Sequence, residues 1–296
     1  MRWKILFGLL SLASMLTSQA CFAQTQKVVV GGKDFTEQRL LAEITGDYLK
    51  SKGFSVDLRT DMGSGLVRQA QENGQIDLYW EYVGTSLISY NKIKETLGPA
   101  DAFNRVKELD DKKGIVWLNP SKANNTFALA IRSQDKDRLK LATISDLAEA
   151  LKAGKELTLA GGIQFVSRQD GLPGLEKAYG FKYPKALIKQ MDTGLTYQVL
   201  RDGQVDLGTV YETDGRVGAF NLLVLEDDKG FFPSYAMVPV IRKDILGKYP
   251  KLAEYLNTLS AKFDNTLMRK LNARVDTEKK PLEEVAHNFL VEEGLL

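Results

Sequence analysis

The chain contains one cysteine, Cys21, and one histidine, His287. Because Cys21 lies in an N-terminal apolar leader, a mature chain beginning at Gln24 has no thiol. Disulfides, thiolate metal sites and cysteine nucleophiles are then excluded, and stability rests on the core. The solitary histidine rules out a His-rich metal cluster. It sits on a helical pattern beside Leu282, Val285, Ala286, Phe289 and Leu290, which reads as a surface or half-buried helix position rather than a general base. Downstream of the leader no apolar run approaches membrane-spanning length, so the mature chain is expected to be soluble. An excess of one charge is also missing. Of 40 Lys and Arg, Arg2 and Lys4 leave with the leader, and the remaining 38 equal the 38 acids; no electrostatic footprint for nucleic acid is visible. Gly31-Gly32-Lys33 lacks the spacing of a phosphate loop. Neither metal nor cofactor is expected, and hydrolysis by paired carboxylates has nothing positive in its favour.

What is present begins with residues 1–23: Arg2 and Lys4, an apolar run over 5–16, and a polar end at Ser18-Gln19-Ala20-Cys21-Phe22-Ala23. This is the pattern of a secretory signal peptide, with cleavage expected after Ala23. Acylation of Cys21 is the alternative, weakened by Ser18 standing where a lipoprotein carries an aliphatic residue.

Within the mature chain, residues 65–82 are written a second time at 194–211 without a gap. Gly65, Leu66, Gln69, Gly74, Gln75, Asp77, Leu78 and Tyr82 are identical to Gly194, Leu195, Gln198, Gly203, Gln204, Asp206, Leu207 and Tyr211. Each copy reads as a short helix, a glycine turn and a strand that ends at its tyrosine. One repeat at half-chain spacing is not a solenoid. It implies two similar lobes. Ligands of open α/β sheets bind beyond the carboxyl ends of strands, which puts both tyrosines at a shared cleft; the alternative is two generic αβ units with incidental tyrosines.

The remaining pattern fits an α/β fold with two lobes. Val28-Val29-Val30 reads as a buried strand, followed by a helix with Asp34 as cap and Glu37 at its third position. Strands at 55–59 and 76–82 complete a βαβαβ run and imply a mostly parallel sheet. Turn residues at Ala123-Asn124-Asn125-Thr126 mark a first crossing, and residues 230–235 a return. The expected division is 24–125 with 234–296 as one lobe and 126–233 as the other, in the manner of a Venus flytrap. Tyr82, Phe127, Tyr211 and Tyr235 fall at strand ends or crossings. Four rings meeting there would form a box for a cation that cannot donate hydrogen bonds, such as a quaternary ammonium; ring by ring, the alternative is core packing.

Six stretches taken in order, residues 33–38 (KDFTEQ), 76–85 (IDLYWEYVGT), 124–127 (NNTF), 168–171 (RQDG), 211–215 (YETDG) and 232–235 (FPSY), resemble the successive signatures of osmoprotectant-binding proteins. Those are the periplasmic substrate-binding components of ABC importers for glycine betaine, choline, carnitine and related compounds. The resemblance covers nearly all of the mature chain and implies a type II periplasmic-binding-protein fold. It also implies an aromatic cage of Tyr82, Phe127, Tyr211 and Tyr235, and carboxylate contacts from Lys33, Thr85 and Arg168. The implied partner is an inner-membrane permease with its cytoplasmic ATPase, served by a monomeric, non-enzymatic receptor. Phe127 stands where many relatives have Tyr, and Val83 where Thr is common, so ligand identity is less determined than fold. A clamshell receptor for an amino acid or other small anion, using Arg168 and Lys33, is the competing reading. A secreted carboxylate-based hydrolase is the third.

Overall fold

A computed structural model describes residues 26–296 except 94 and 96; the expected signal peptide, its cleavage after Ala23 and Cys21 lie outside them. Ten strands form two five-stranded sheets. The first contains β1 (Gln26–Lys33), β2 (Phe54–Met62), β3 (Leu78–Tyr82), β4 (Ile115–Trp117) and β10 (Met237–Arg242), in the order β2-β1-β3-β10-β4. The second contains β5 (Phe127–Arg132), β6 (Leu159–Gly162), β7 (Ile188–Met191), β8 (Leu207–Tyr211) and β9 (Leu222–Val224), in the order β7-β6-β8-β5-β9. Four strands of each sheet share a direction. The fifth, β10 in the first and β5 in the second, runs against its neighbours. These two reversed strands carry the chain away from the crossings, where Asn124 and Ala236 pair in an isolated antiparallel bridge.

The repeated segment occupies corresponding places in the two sheets. Helix Ser64–Glu72 leads through Gly74 into β3, and helix Thr193–Arg201 leads through Gly203 into β8. The two turn glycines have φ of +75° and +74°, a left-handed conformation that costs a side chain but not glycine. Just beyond each, an aspartate ties the incoming strand to its neighbour. Asp77 accepts the Val29 N–H at 2.8 Å, and Asp206 accepts the Thr158 N–H at 3.0 Å.

Helix Thr36–Ser51 buries Leu40, Leu41, Ile44 and Leu49, the face its spacing predicts. Its start differs from expectation. Phe35 occupies the cap position and no side chain caps the helix, because Glu37 turns inward to other partners instead of back to the backbone. Two C-terminal helices, Asn265–Asp276 and Leu282–Glu292, pack on this helix. The last buries Val285, Ala286, Phe289 and Leu290 and leaves His287 exposed. Helix Asn265–Asp276 also reaches the segment after β8. Arg269 donates to the Glu212 carboxylate at 2.7 Å, Asn272 donates to the Thr213 carbonyl at 2.9 Å, and Gly215 lies so close that a Cβ there would stand 2.5 Å from that of Ala273.

Candidate functional site

The crossings fix the centre of the site. Asn125 N–H donates to the Tyr235 carbonyl at 3.2 Å, and Tyr235 N–H donates to Asn124 Oδ1 at 2.6 Å. Two residues beyond Asn125, Phe127 opens β5 opposite Tyr211 at the end of β8. Its ring centroid lies 5.1 Å from that of Tyr211 and 5.9 Å from that of Tyr235. Gly84 lets the Tyr235 ring lie against the chain leaving β3, since a Cβ there would meet the ring at 2.9 Å. The structure thus places Phe127 against two of the other three expected rings, Tyr211 and Tyr235. Tyr82 shares their buried apolar cluster, but its ring neighbour is Phe35, at 6.3 Å and nearly parallel.

Tyr82 is held by polar partners at its far end. Its hydroxyl donates to Glu37 Oε1 at 2.6 Å and accepts from Gln38 Nε2 at 3.0 Å. Glu37 also receives Asn125 Nδ2 at 2.9 Å and Asn272 Nδ2 at 3.1 Å. One buried carboxylate therefore joins the first helix, β3, the first crossing and a C-terminal helix. Burial pushes the Glu37 pKa up, against the pull of these donors. The Tyr82 hydroxyl is likewise driven well above its ordinary pKa, by burial and by the neighbouring Glu37. Tyr211, partly exposed, is pushed up to about 12, chiefly by desolvation.

The three polar residues expected at the site have different surroundings. Lys33, at the end of β1, is 1% exposed and paired with Glu81, which is itself fully buried. Desolvation lowers the Lys33 pKa more than Glu81 restores it. Arg168 is paired with Asp170, with Nε 2.8 Å from Oδ1, and approaches the Tyr235 hydroxyl at 3.3 Å. Tyr235 donates to the same Asp170 carboxylate. Thr85 is buried at the start of a π-helical turn, Thr85–Tyr90. That turn is pinned by Ser86, whose hydroxyl donates at 2.8 Å to Asp110, a buried carboxylate held by two Arg68 bonds.

A cavity of about 360 Å³ is lined by Phe35, Glu37, Asn125, Thr193, Tyr211 and Asp214, among others. Of the four expected rings only Tyr211 lines it; Lys33, Thr85 and Arg168 do not. Phe35, Gln38, Glu81 and Asp170 were not singled out from the sequence, and Glu37 only as a helix-capping residue, although every one lies inside a stretch that carries the resemblance. Asn272 is isolated in sequence from the residues it joins, and nothing local points to it. Among the described residues no group of three or more His, Cys, Asp or Glu is arranged to hold a metal, and no helix is long and apolar enough to cross a membrane.

Residues 26–292 match the model of the substrate binding domain of the ABC-type glycine betaine transport system. The chain belongs to this family. It is 43% identical over 283 residues to the glycine-betaine-binding protein of Pseudomonas aeruginosa, covering 94% of this chain and 91% of the relative. Among solved structures it resembles apo YehZ from Escherichia coli, with a TM-score of 0.72 and 32% identity across 93% of this chain and all of that one. It also resembles a protein described as a glycine betaine/carnitine/choline ABC transporter, with a TM-score of 0.77 and 28% identity across 90% of this chain and 99% of that one. The fold is that of two-lobed periplasmic binding proteins, and the family is one of transport substrate-binding proteins.

Proposed function

We propose that this chain is the receptor of an ABC importer and binds a quaternary ammonium osmoprotectant of the glycine betaine, choline or carnitine type. It acts outside the cytoplasm, as a monomer without catalytic activity, after loss of residues 1–23. The ligand passes to an inner-membrane permease driven by a cytoplasmic ATPase. The lobes are 24–125 with 234–296, and 126–233, hinged where Asn124 meets Ala236.

One observation carries the reading: Phe127, Tyr211 and Tyr235 converge where the two sheets meet. Ring faces attract a cation with no N–H to donate, by about 0.5–1 kcal/mol when exposed and about 2 kcal/mol or more when dry. Tyr82 completes the cage, and Arg168 and Thr85 supply polar contacts. The small-anion reading is disfavoured because Arg168 already pairs with Asp170, while Glu37 and Asp214 line the cavity.

Isothermal titration of the mature protein with glycine betaine, choline, carnitine, amino acids and sugars tests this. Quaternary ammonium compounds alone should bind, and Tyr211→Ala should weaken them about tenfold or more, since 1.4 kcal/mol is tenfold. Binding that selects amino acids, or a folded Tyr211→Ala that binds unchanged, would overturn it.

A further inference from the structure

Nothing in the backbone of Gly215 asks for glycine. Its φ of −63° and ψ of −23° are right-handed helix, open to any L residue. The requirement comes from across the molecule. A Cβ at Gly215 would lie 2.5 Å from the Ala273 Cβ, 2.6 Å from the Ala273 nitrogen and 2.6 Å from the Arg269 carbonyl oxygen. Two of those atoms are main chain of helix Asn265–Asp276, and main chain inside a helix cannot swing aside as a side chain can.

The two surfaces belong to different sheets. Gly215 follows β8 of the second sheet, whereas helix Asn265–Asp276 packs on helix Thr36–Ser51, which joins β1 to β2 of the first. Polar ties flank the glycine. Arg269 donates to both the carbonyl and the carboxylate of Glu212, Asn272 donates to the Thr213 carbonyl, and Arg216 faces Asp276 at 3.9 Å. Tyr211, the expected ring that lines the cavity, directly precedes this seated segment. Asp214, Arg216, Asn272 and Asp276 line the cavity as well. The contact therefore borders the cleft, and a wedge driven into it would open the cleft.

We propose that residues 212–216 and helix Asn265–Asp276 form a latch between the lobes, and that Gly215 is its positioning residue: the missing side chain lets the lobes reach the separation at which the cleft binds. The proposal rests on the lobe division and the receptor reading above. Gly215 itself is not one of the cavity's lining residues, so its effect passes through lobe position. Packed surfaces do not yield gradually, and an added methyl must part them. Apparent affinity falls with the fraction of molecules in the binding-competent arrangement, so a wedge here should weaken different ligands alike.

Gly215→Ala is the wedge, since alanine suits the local backbone and only the facing helix excludes it. Arg269→Ala, at a side chain 42% exposed, loosens the same seat without a clash and serves if the wedge does not fold. A mature chain beginning at Gln24 has no cysteine, so Gln69→Cys with Gln198→Cys, both exposed and one on each lobe, gives a unique spin-label pair. Pulsed electron paramagnetic resonance reads the label separation with and without choline chloride. Calorimetric titration reads the affinity for choline and for glycine betaine, and thermal unfolding checks that each variant is folded. Gly215→Ala should lengthen the separation and weaken both ligands by the same factor, about tenfold, the scale of one methyl forced into a close-packed contact. Arg269→Ala should shift both readouts the same way by less. An unchanged separation, or unchanged affinities, in the folded variants overturns the proposal and leaves the receptor reading standing. Weakening of one ligand without the other overturns it in favour of a local contact with that ligand. If the wild-type protein binds neither compound, the receptor reading fails and the separation alone decides the latch: lengthening in Gly215→Ala upholds it, and no change overturns it.

Discussion

Residues 65–82 and 194–211 fold alike and end differently. In both copies a helix, a left-handed glycine and an aspartate-tethered strand bring a tyrosine to the inner end of a sheet. Beyond that tyrosine the likeness stops. The Tyr82 hydroxyl is buried against Glu37 and Gln38, and its ring faces Lys33 and Phe35. Tyr211 is partly exposed, lines the cavity, and makes its bond through the backbone, donating its own N–H to the Tyr197 hydroxyl at 2.9 Å. The backbone unit determines where a ring is delivered. Whether that ring is structural, ligand-facing or both depends on what the rest of the chain packs around it.

The strongest way to break the comparison is to remove what distinguishes the first copy. Glu37→Ala deprives the Tyr82 hydroxyl and the Asn125 and Asn272 amides of their shared acceptor. Each buried donor left without a partner costs about 1–3 kcal/mol, so the variant should lose about 3 kcal/mol or more of unfolding free energy in urea titration. A loss below about 1 kcal/mol would mean that the network is replaced by water and does not join these elements.

Matched Tyr→Phe substitutions sharpen the comparison at smaller scale. Tyr82→Phe keeps the ring and removes a hydroxyl that both donates to Glu37 and accepts from Gln38, and should cost about 1–3 kcal/mol. Tyr211→Phe removes a hydroxyl beside the cavity and should cost under about 1 kcal/mol, because water can reach the groups left behind. Equal costs in thermal unfolding would show that the two tyrosines are interchangeable and that the asymmetry carries no energy.

Much of this was legible in the sequence, for identifiable reasons. Strand and helix positions followed from apolar spacing, and the repeat located both tyrosines because its glycine and aspartate are backbone requirements that leave a mark in the letters. The antiparallel fifth strand of each sheet follows from the crossings at Asn124 and Ala236. The Glu37 network was not legible. Its members are separated by up to 235 positions, and no local pattern distinguishes a glutamate that collects buried amides from one that caps a helix. The same holds for Lys33 and Arg168. A cation's residue type does not reveal that an acid elsewhere has already claimed it, and here Glu81 and Asp170 have.

The smallest expected effect concerns the repeated aspartates, whose titrations shift in opposite directions. At Asp77 burial dominates, and its pKa rises above the ordinary 3.8 despite the Val29 N–H and Arg242. At Asp206 burial works the same way but is outweighed by the N–H and hydroxyl of Thr158 and by Arg138, so its pKa falls below 3.8. The linkage signs follow. Asp206 contributes stability that is complete above its unfolded value and is lost as pH falls through its lower folded value. Asp77 binds its proton more tightly folded than unfolded, so its contribution is complete below 3.8 and is lost as pH rises through its higher folded value. Each Asp→Asn variant removes one of these slopes. Relative to its own variant, the wild-type protein should lose stability on acidification below about pH 4 because of Asp206, and should gain it through the window just above 3.8 because of Asp77. Urea unfolding at intervals from pH 3 to 6 reads both differences. Two curves of the same sign would mean that Val29 and Thr158 hold their aspartates equally, and the asymmetry between the copies would then begin only at the tyrosines.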